Sequence, residues 1–124
     1  MARKTQKERL EQLVTKDYLK ERIERDPIRT IGRILVAIFK RQTANEKAGN
    51  HTEDKNGIGF SGHDARIGSL GAKYFMKHGT LLEWQLKSWI RPDKHGYPRI
   101  AKYVRQLNEI ANEKTKQHGT VTAN

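Results

Sequence analysis

The chain has 124 residues, enough for one domain of ordinary size and too few for two. Its 25 Lys and Arg face 14 Asp and Glu, and the resulting net charge of +11 exceeds the magnitude of ~2–8 that keeps a small domain soluble. An anionic partner is therefore expected: nucleic acid first, an acidic protein surface second, an anionic membrane last. The absence of cysteine excludes disulfides and thiolate metal sites. The charged start, Met-Ala-Arg-Lys-Thr-Gln-Lys-Glu, lacks the apolar core of a signal peptide, and the apolar run 34–39 is too short to span a bilayer. These features predict a soluble, cytoplasmic protein without membrane insertion.

Helix start and stop signals run through the whole chain, and nothing shows the alternation of a strand. Thr5-Gln6-Lys7-Glu8 has the form of a capping box and predicts a first helix to about Arg25, its apolar residues being Leu10, Leu13, Val14, Tyr18, Leu19 and Ile23. Glu21 and Arg25 stand four apart, so part of this face is expected to pair with itself. Asp26-Pro27 predicts the next start, with Asp26 as cap, and a helix to about Ala48. Ile28, Ile31, Ile34, Leu35, Ile38 and Phe39 form its apolar stripe, while Arg29, Arg33, Lys40 and Arg41 lie between them with only Glu46 nearby in opposition.

Residues 49–60, rich in Gly, Asn and Asp, predict a loop in which Gly57 and Gly59 supply turns while Ile58 and Phe60 plug the core. Ser61-Gly62-His63-Asp64 predicts another helix start, with the Asp64 carboxylate accepting amide hydrogen bonds, and Gly79 supplies the stop. The small residues Gly68, Ser69, Gly71 and Ala72 predict close approach of another backbone. Thr80-Leu81-Leu82-Glu83 reads as a capping box for a short helix to about Trp89, anchored by Leu82, Leu86, Trp89 and Ile90. Residues 91–96 form a turn, and Tyr97-Pro98 opens a last helix to about Lys116 through Ile100, Tyr103, Val104, Leu107 and Ile110. The expected architecture is a single all-α domain over 1–124: a helical hairpin at 5–48, a Gly-rich loop at 49–60, a basic three-helix unit at 61–116 and a flexible tail at 117–124.

Residues 66–105 hold Arg66, Lys73, Lys77, Lys87, Arg91, Lys94, Arg99, Lys102 and Arg105 against Glu83 and Asp93, a net of +7. This density predicts phosphate contacts. Among the aromatic residues interleaved with these charges, Phe75, Trp89 and Tyr103 lie on apolar stripes. Trp84 falls off its helix's apolar face and Tyr97 sits in a turn, so these two are the candidates for contact with bases. The five histidines do not have the spacing of a metal site or of a His-Asn-His nuclease, which needs a strand pair that the segment 51–63 cannot supply. No Ser/His/Asp set, phosphate-cradling glycine loop or HExxH motif is present either. Neither catalysis, a cofactor nor a metal is expected.

Gly59-Phe60-Ser61-Gly62-His63-Asp64-Ala65, Gly68-Ser69-Leu70-Gly71-Ala72, Leu81 with Gln85, and Lys102-Tyr103 with Gln106-Leu107 resemble a small uncharacterised domain recurring in bacteriophage proteins and DNA-processing, helicase-like proteins. The resemblance covers about residues 57–107. It implies a phage or mobile-element setting and a free-standing accessory role in a host cytoplasm. Two readings follow: a module that grips nucleic-acid phosphates, or an inhibitor or adaptor that presents its basic face to a host protein. Helix-turn-helix reading of a DNA groove by residues 61–90 is disfavoured, because the second helix offers only Gln85 and Lys87 to read bases.

Overall fold

A computed structural model describes residues 14–47 and 57–122. It is all-α: α1 (Lys16–Arg25), α2 (Pro27–Lys47), α3 (Ala65–His78), α4 (Glu83–Ile90), a 3-10 turn (Arg99–Tyr103) and α5 (Val104–Thr122). The expected helix start at Thr5 and the expected loop from 49 to 56 lie outside the described residues.

Local chemistry explains most of the ends. α1 starts at Lys16, because Thr15 is extended and its hydroxyl accepts the Tyr18 amide at 3.0 Å. A helix running unbroken through Val14 is thereby corrected: Asn108 of α5 bonds both the amide and the carbonyl of Val14, at 2.9 and 2.8 Å, and holds it out of the helix. Glu21 and Arg25 pair at 2.5 Å, as their spacing predicts. Pro27 opens α2, and the Asp26 carbonyl accepts the Thr30 amide at 3.1 Å as the first bond of the helix. Gly79, at φ 69°, ends α3 in the left-handed conformation and donates its amide to Phe75.

Two expected starts shift. α4 begins at Glu83 with Leu82 as cap, and the Gln85 side chain, not Glu83, reaches back to the Leu82 amide at 2.9 Å. Thr80 therefore caps nothing, Leu81 is the core anchor, and Leu82 is exposed. The turn at 91–96 is closed by the Asp93 carboxylate, which accepts the amides of His95 and Tyr97 at 2.8 and 3.0 Å. After Pro98 the chain takes a 3-10 turn before α5, and α5 continues to Thr122, beyond the expected end at Lys116.

α2 is the central helix and packs against each of the other four α-helices. Trp89, Ile31, Leu35, Ile38 and Ile100 are fully buried around it, each contributing on the order of 1.5–3 kcal/mol by leaving water. α2 and α3 run antiparallel, and their closeness comes from side chains of the facing helix seated on glycines rather than from backbone against backbone; Phe60 of the preceding segment seats on α3 in the same way. The Phe60 ring lies where a Cβ on Gly68 would be, 2.5 Å away; Leu35 does the same to Gly71 and Phe75 to Gly32. Phe60 is buried as expected and stacks edge-on against Tyr103, with ring centroids 5.7 Å apart; Ile58 is only half-buried.

Candidate nucleic-acid interface

The nine cations between residues 66 and 105 divide into two populations. Four have carboxylate partners. Lys87 pairs with Glu83 at 2.9 Å and Arg105 with Glu109 at 3.0 Å. Arg99 and Lys102 converge on Asp64, Arg99 at 2.5 Å, and Tyr103 donates its hydroxyl proton to the same carboxylate at 2.6 Å. The expectation that Asp64 caps α3 with its carboxylate is corrected here: no amide of the first turn bonds that side chain, which is fully buried among Arg99, Lys102 and Tyr103. Burial by itself would raise the Asp64 carboxyl, but the hydrogen bonds from Lys102, Tyr103 and Arg99 outweigh it and hold the group below the usual carboxylate range. Burial and the bond to Asp64 push the Tyr103 phenol up to about 12.

This node fastens the 57–64 segment to the start of α5. The Gln106 side chain bonds both the amide and the carbonyl of Gly59 at 2.8 Å, Arg105 donates to the Gly57 carbonyl at 2.9 Å, and Tyr103 accepts the Ser61 amide at 3.1 Å. Gly57 and Gly59 have φ of 73° and 87°, which a side chain would disfavour. The segment 59–64 and residues 102, 103 and 106, singled out by their motif-like spacing, thus account for one another structurally. A cleft of about 580 Å³ lies beside the node, lined by Gln42, residues 57–62, Lys102, Tyr103, Arg105 and Gln106 among others. The polar side chains of Gln42, Tyr103, Arg105 and Gln106 are already bonded to the protein.

Five of the nine, Arg66, Lys73, Lys77, Arg91 and Lys94, are exposed and form no ion pair among the described residues. Arg91 and Lys94 belong to the Asp93 turn. Arg66, Lys73 and Lys77 recur at i, i+7 and i+11 on α3 and so point within roughly 60° of one another. Lys73 leans across the helix boundary to 5.7 Å from the centre of the Phe39 ring of α2, which joins this face to the neighbouring one. There Arg29, Arg33 and Lys40 of α2 are exposed on one side of the helix, again without an ion pair among the described residues. Residues 27–45 and 65–82 contain no Asp or Glu at all. Apart from Glu46 at the end of α2, the two helices thus expose six cations with no carboxylate on either helix between them.

Sequence reasoning noticed the charge on α2 but did not place Arg29, Arg33 and Lys40 in the site; the missing acids from 27 to 45 were the available signal. It also grouped Arg41 with them, and this is corrected: Arg41 turns inward to Glu109 at 2.8 Å, Gln106 at 3.2 Å and Glu113 at 4.0 Å. Of the two aromatic candidates, Trp84 is 50% exposed, as expected from its position off the apolar face. Tyr97 is not available: it is half-buried against α1, donates its hydroxyl to Asp17 at 3.0 Å and carries Lys16 over its ring.

Among the described residues, no three His, Asp or Glu side chains come together as a metal site would require, and no helix is long and apolar enough to cross a membrane. The chain matches no family model, no curated protein and no solved structure.

Proposed function

We propose that this protein binds nucleic acid through its phosphates, on the shared face of α2 and α3, as an accessory protein without catalytic activity of its own. The observation that carries the reading is the absence of any carboxylate from residues 27–45 and 65–82 while Arg29, Arg33, Lys40, Arg66, Lys73 and Lys77 project from them. Solubility does not call for such segregation, since mixed charges serve it as well. A polyanion rewards it, because each phosphate neutralised releases condensed counterions. Arg29 and Lys40 are eleven residues apart, about 16 Å along the helix, and this span faces roughly five phosphates of one duplex strand. The resemblance of residues 57–107 adds a phage or mobile-element setting, and with it a host-cell cytoplasm, to the proposal.

The test is a titration of labelled single- and double-stranded DNA and RNA across salt concentrations. Six phosphate contacts predict a log-log slope of about −4 to −5. Replacing Arg29, Arg33, Lys73 and Lys77 together by Gln should make that slope shallower by about 3 and leave the melting temperature unchanged. An unchanged slope in a folded variant overturns the assignment of the face.

A protein partner with an acidic groove is the second reading. Leu70 and Met76, 46% and 48% exposed on α3, favour it, because apolar side chains within a charged surface are the anchors of protein interfaces. It predicts stoichiometric capture of a host protein and no oligonucleotide binding at low salt.

A further inference from the structure

The two tryptophans of α4 have opposite surroundings. Trp89 is fully buried, with the Arg99 guanidinium 5.0 Å from its ring centre and Phe60 at 6.2 Å. Trp84, on the first turn of the same helix, is 50% exposed and engages no ring or cation among the described residues. Leaving half of an indole in water forgoes much of the largest apolar contribution a side chain offers, so the fold does not account for a tryptophan there.

In the chain, Trp84 follows closely on one end of the basic face. A groove of about 740 Å³ runs between the first half of α2 and the end of α3, lined by Ile28, Arg29, Arg33, Phe75, Gly79 and Thr80, with Asp26 its only carboxylate. Thr80 belongs to the corner between α3 and α4, four residues before Trp84. A chain whose phosphates rest on Arg29 and Arg33 is thus led toward that corner. Asp26 repels phosphates that approach its own part of the groove. On α4 itself, Lys87 follows Trp84 at i+3 and shares its side of the helix, paired with Glu83, and the exposed Arg91 stands just past the helix end. This combination of a cationic track and an exposed indole suits a strand whose bases are free. A duplex keeps its bases paired and stacked, and would have to be opened before an indole on the protein surface met a base face.

We infer that the α2–α3 face takes single-stranded nucleic acid, with Trp84 as the platform on which one base stacks. The inference rests on the phosphate-binding reading and adds the class of strand to it. It is tested with an oligothymidylate roughly 12 nucleotides long and a duplex of the same length, titrated against the wild type, Trp84→Ala and Trp84→Phe. Expected are tighter binding of the single strand by the wild type, a loss of roughly tenfold for that strand in Trp84→Ala, and recovery of most of it in Trp84→Phe. Duplex binding and the melting temperature should not change in either variant. Equal losses on both oligonucleotides, no loss on either, or a wild-type preference for the duplex overturns the role of Trp84 and leaves the phosphate reading standing. No binding of either oligonucleotide at low salt overturns both.

Discussion

Arg99, Lys102 and Arg105 on one side and Arg29, Arg33 and Lys40 on the other are both clusters of three cations, yet the two groups meet opposite conditions. The first group is tied to Asp64, Glu109 and the Gly57 carbonyl, and it holds the 57–64 segment to α5. The second group faces solvent beside other cations. The difference teaches that a run of positive charge indicates a binding surface only when no distant carboxylate folds onto it. Asp64 is 35 residues from Arg99, and no window along the chain would have paired them.

The comparison is sharpened most by Asp64→Asn. Removing the buried charge leaves Arg99 and Lys102 without their shared partner, and the expected loss is about 3 kcal/mol, at the low end for broken buried pairs because both cations are partly exposed and can rehydrate. Thermal or urea unfolding measures it. Arg33→Gln on the open face should stay within about 0.5 kcal/mol in the same assay. Equal losses from the two substitutions would erase the distinction between structural and free cations.

A smaller effect is expected from pH. The Asp64 carboxyl is held below its unfolded value, so its contribution is present above that value, about 3.9, and is lost as pH falls through the lowered folded value. The urea midpoint of the wild type should therefore drop below about pH 4 more steeply than that of Asp64→Asn, which has no charge to lose there. Parallel profiles would mean that the node does not depend on the ionised form.

The smallest expected change probes the helix contact on which the open face is built. Gly32→Ala places a methyl group where the Phe75 ring lies. The helix-propensity gain of about 1 kcal/mol is outweighed by overpacking of about 1–3 kcal/mol, for a net loss of about 1 kcal/mol. Because α2 and α3 must separate to admit it, nucleic-acid affinity should also fall slightly, whereas Asp64→Asn below its melting temperature should leave affinity unchanged. A stabilised Gly32→Ala protein would show that the ring simply moves aside.

Much of the fold was legible because its signals are local. The three- and four-residue spacing from Ile28 to Phe39, Pro27 at a helix start and Gly79 at a helix end each act within one or two turns. The α4 start was misplaced because Gln85, two residues past Glu83, makes the same reciprocal bond to a cap that has no side-chain acceptor. The candidate site was only partly legible: Arg66, Lys73, Lys77 and Trp84 are exposed as expected, while Lys87, Arg99, Lys102 and Arg105 are paired and Tyr97 is engaged by α1.

Composition and periodicity alone determined that this chain is helical, basic and free of carboxylates from 27 to 45 and from 65 to 82, since these properties belong to residues and their near neighbours. Only the docking of α2 against α3 and α5 decided which cations remain open, turning Arg41 toward Glu109 and bringing Arg99 and Lys102 to Asp64 while leaving Arg29 and Lys73 outside. An ion pair acts over a few ångströms, and which charges come that close is set by how the helices pack.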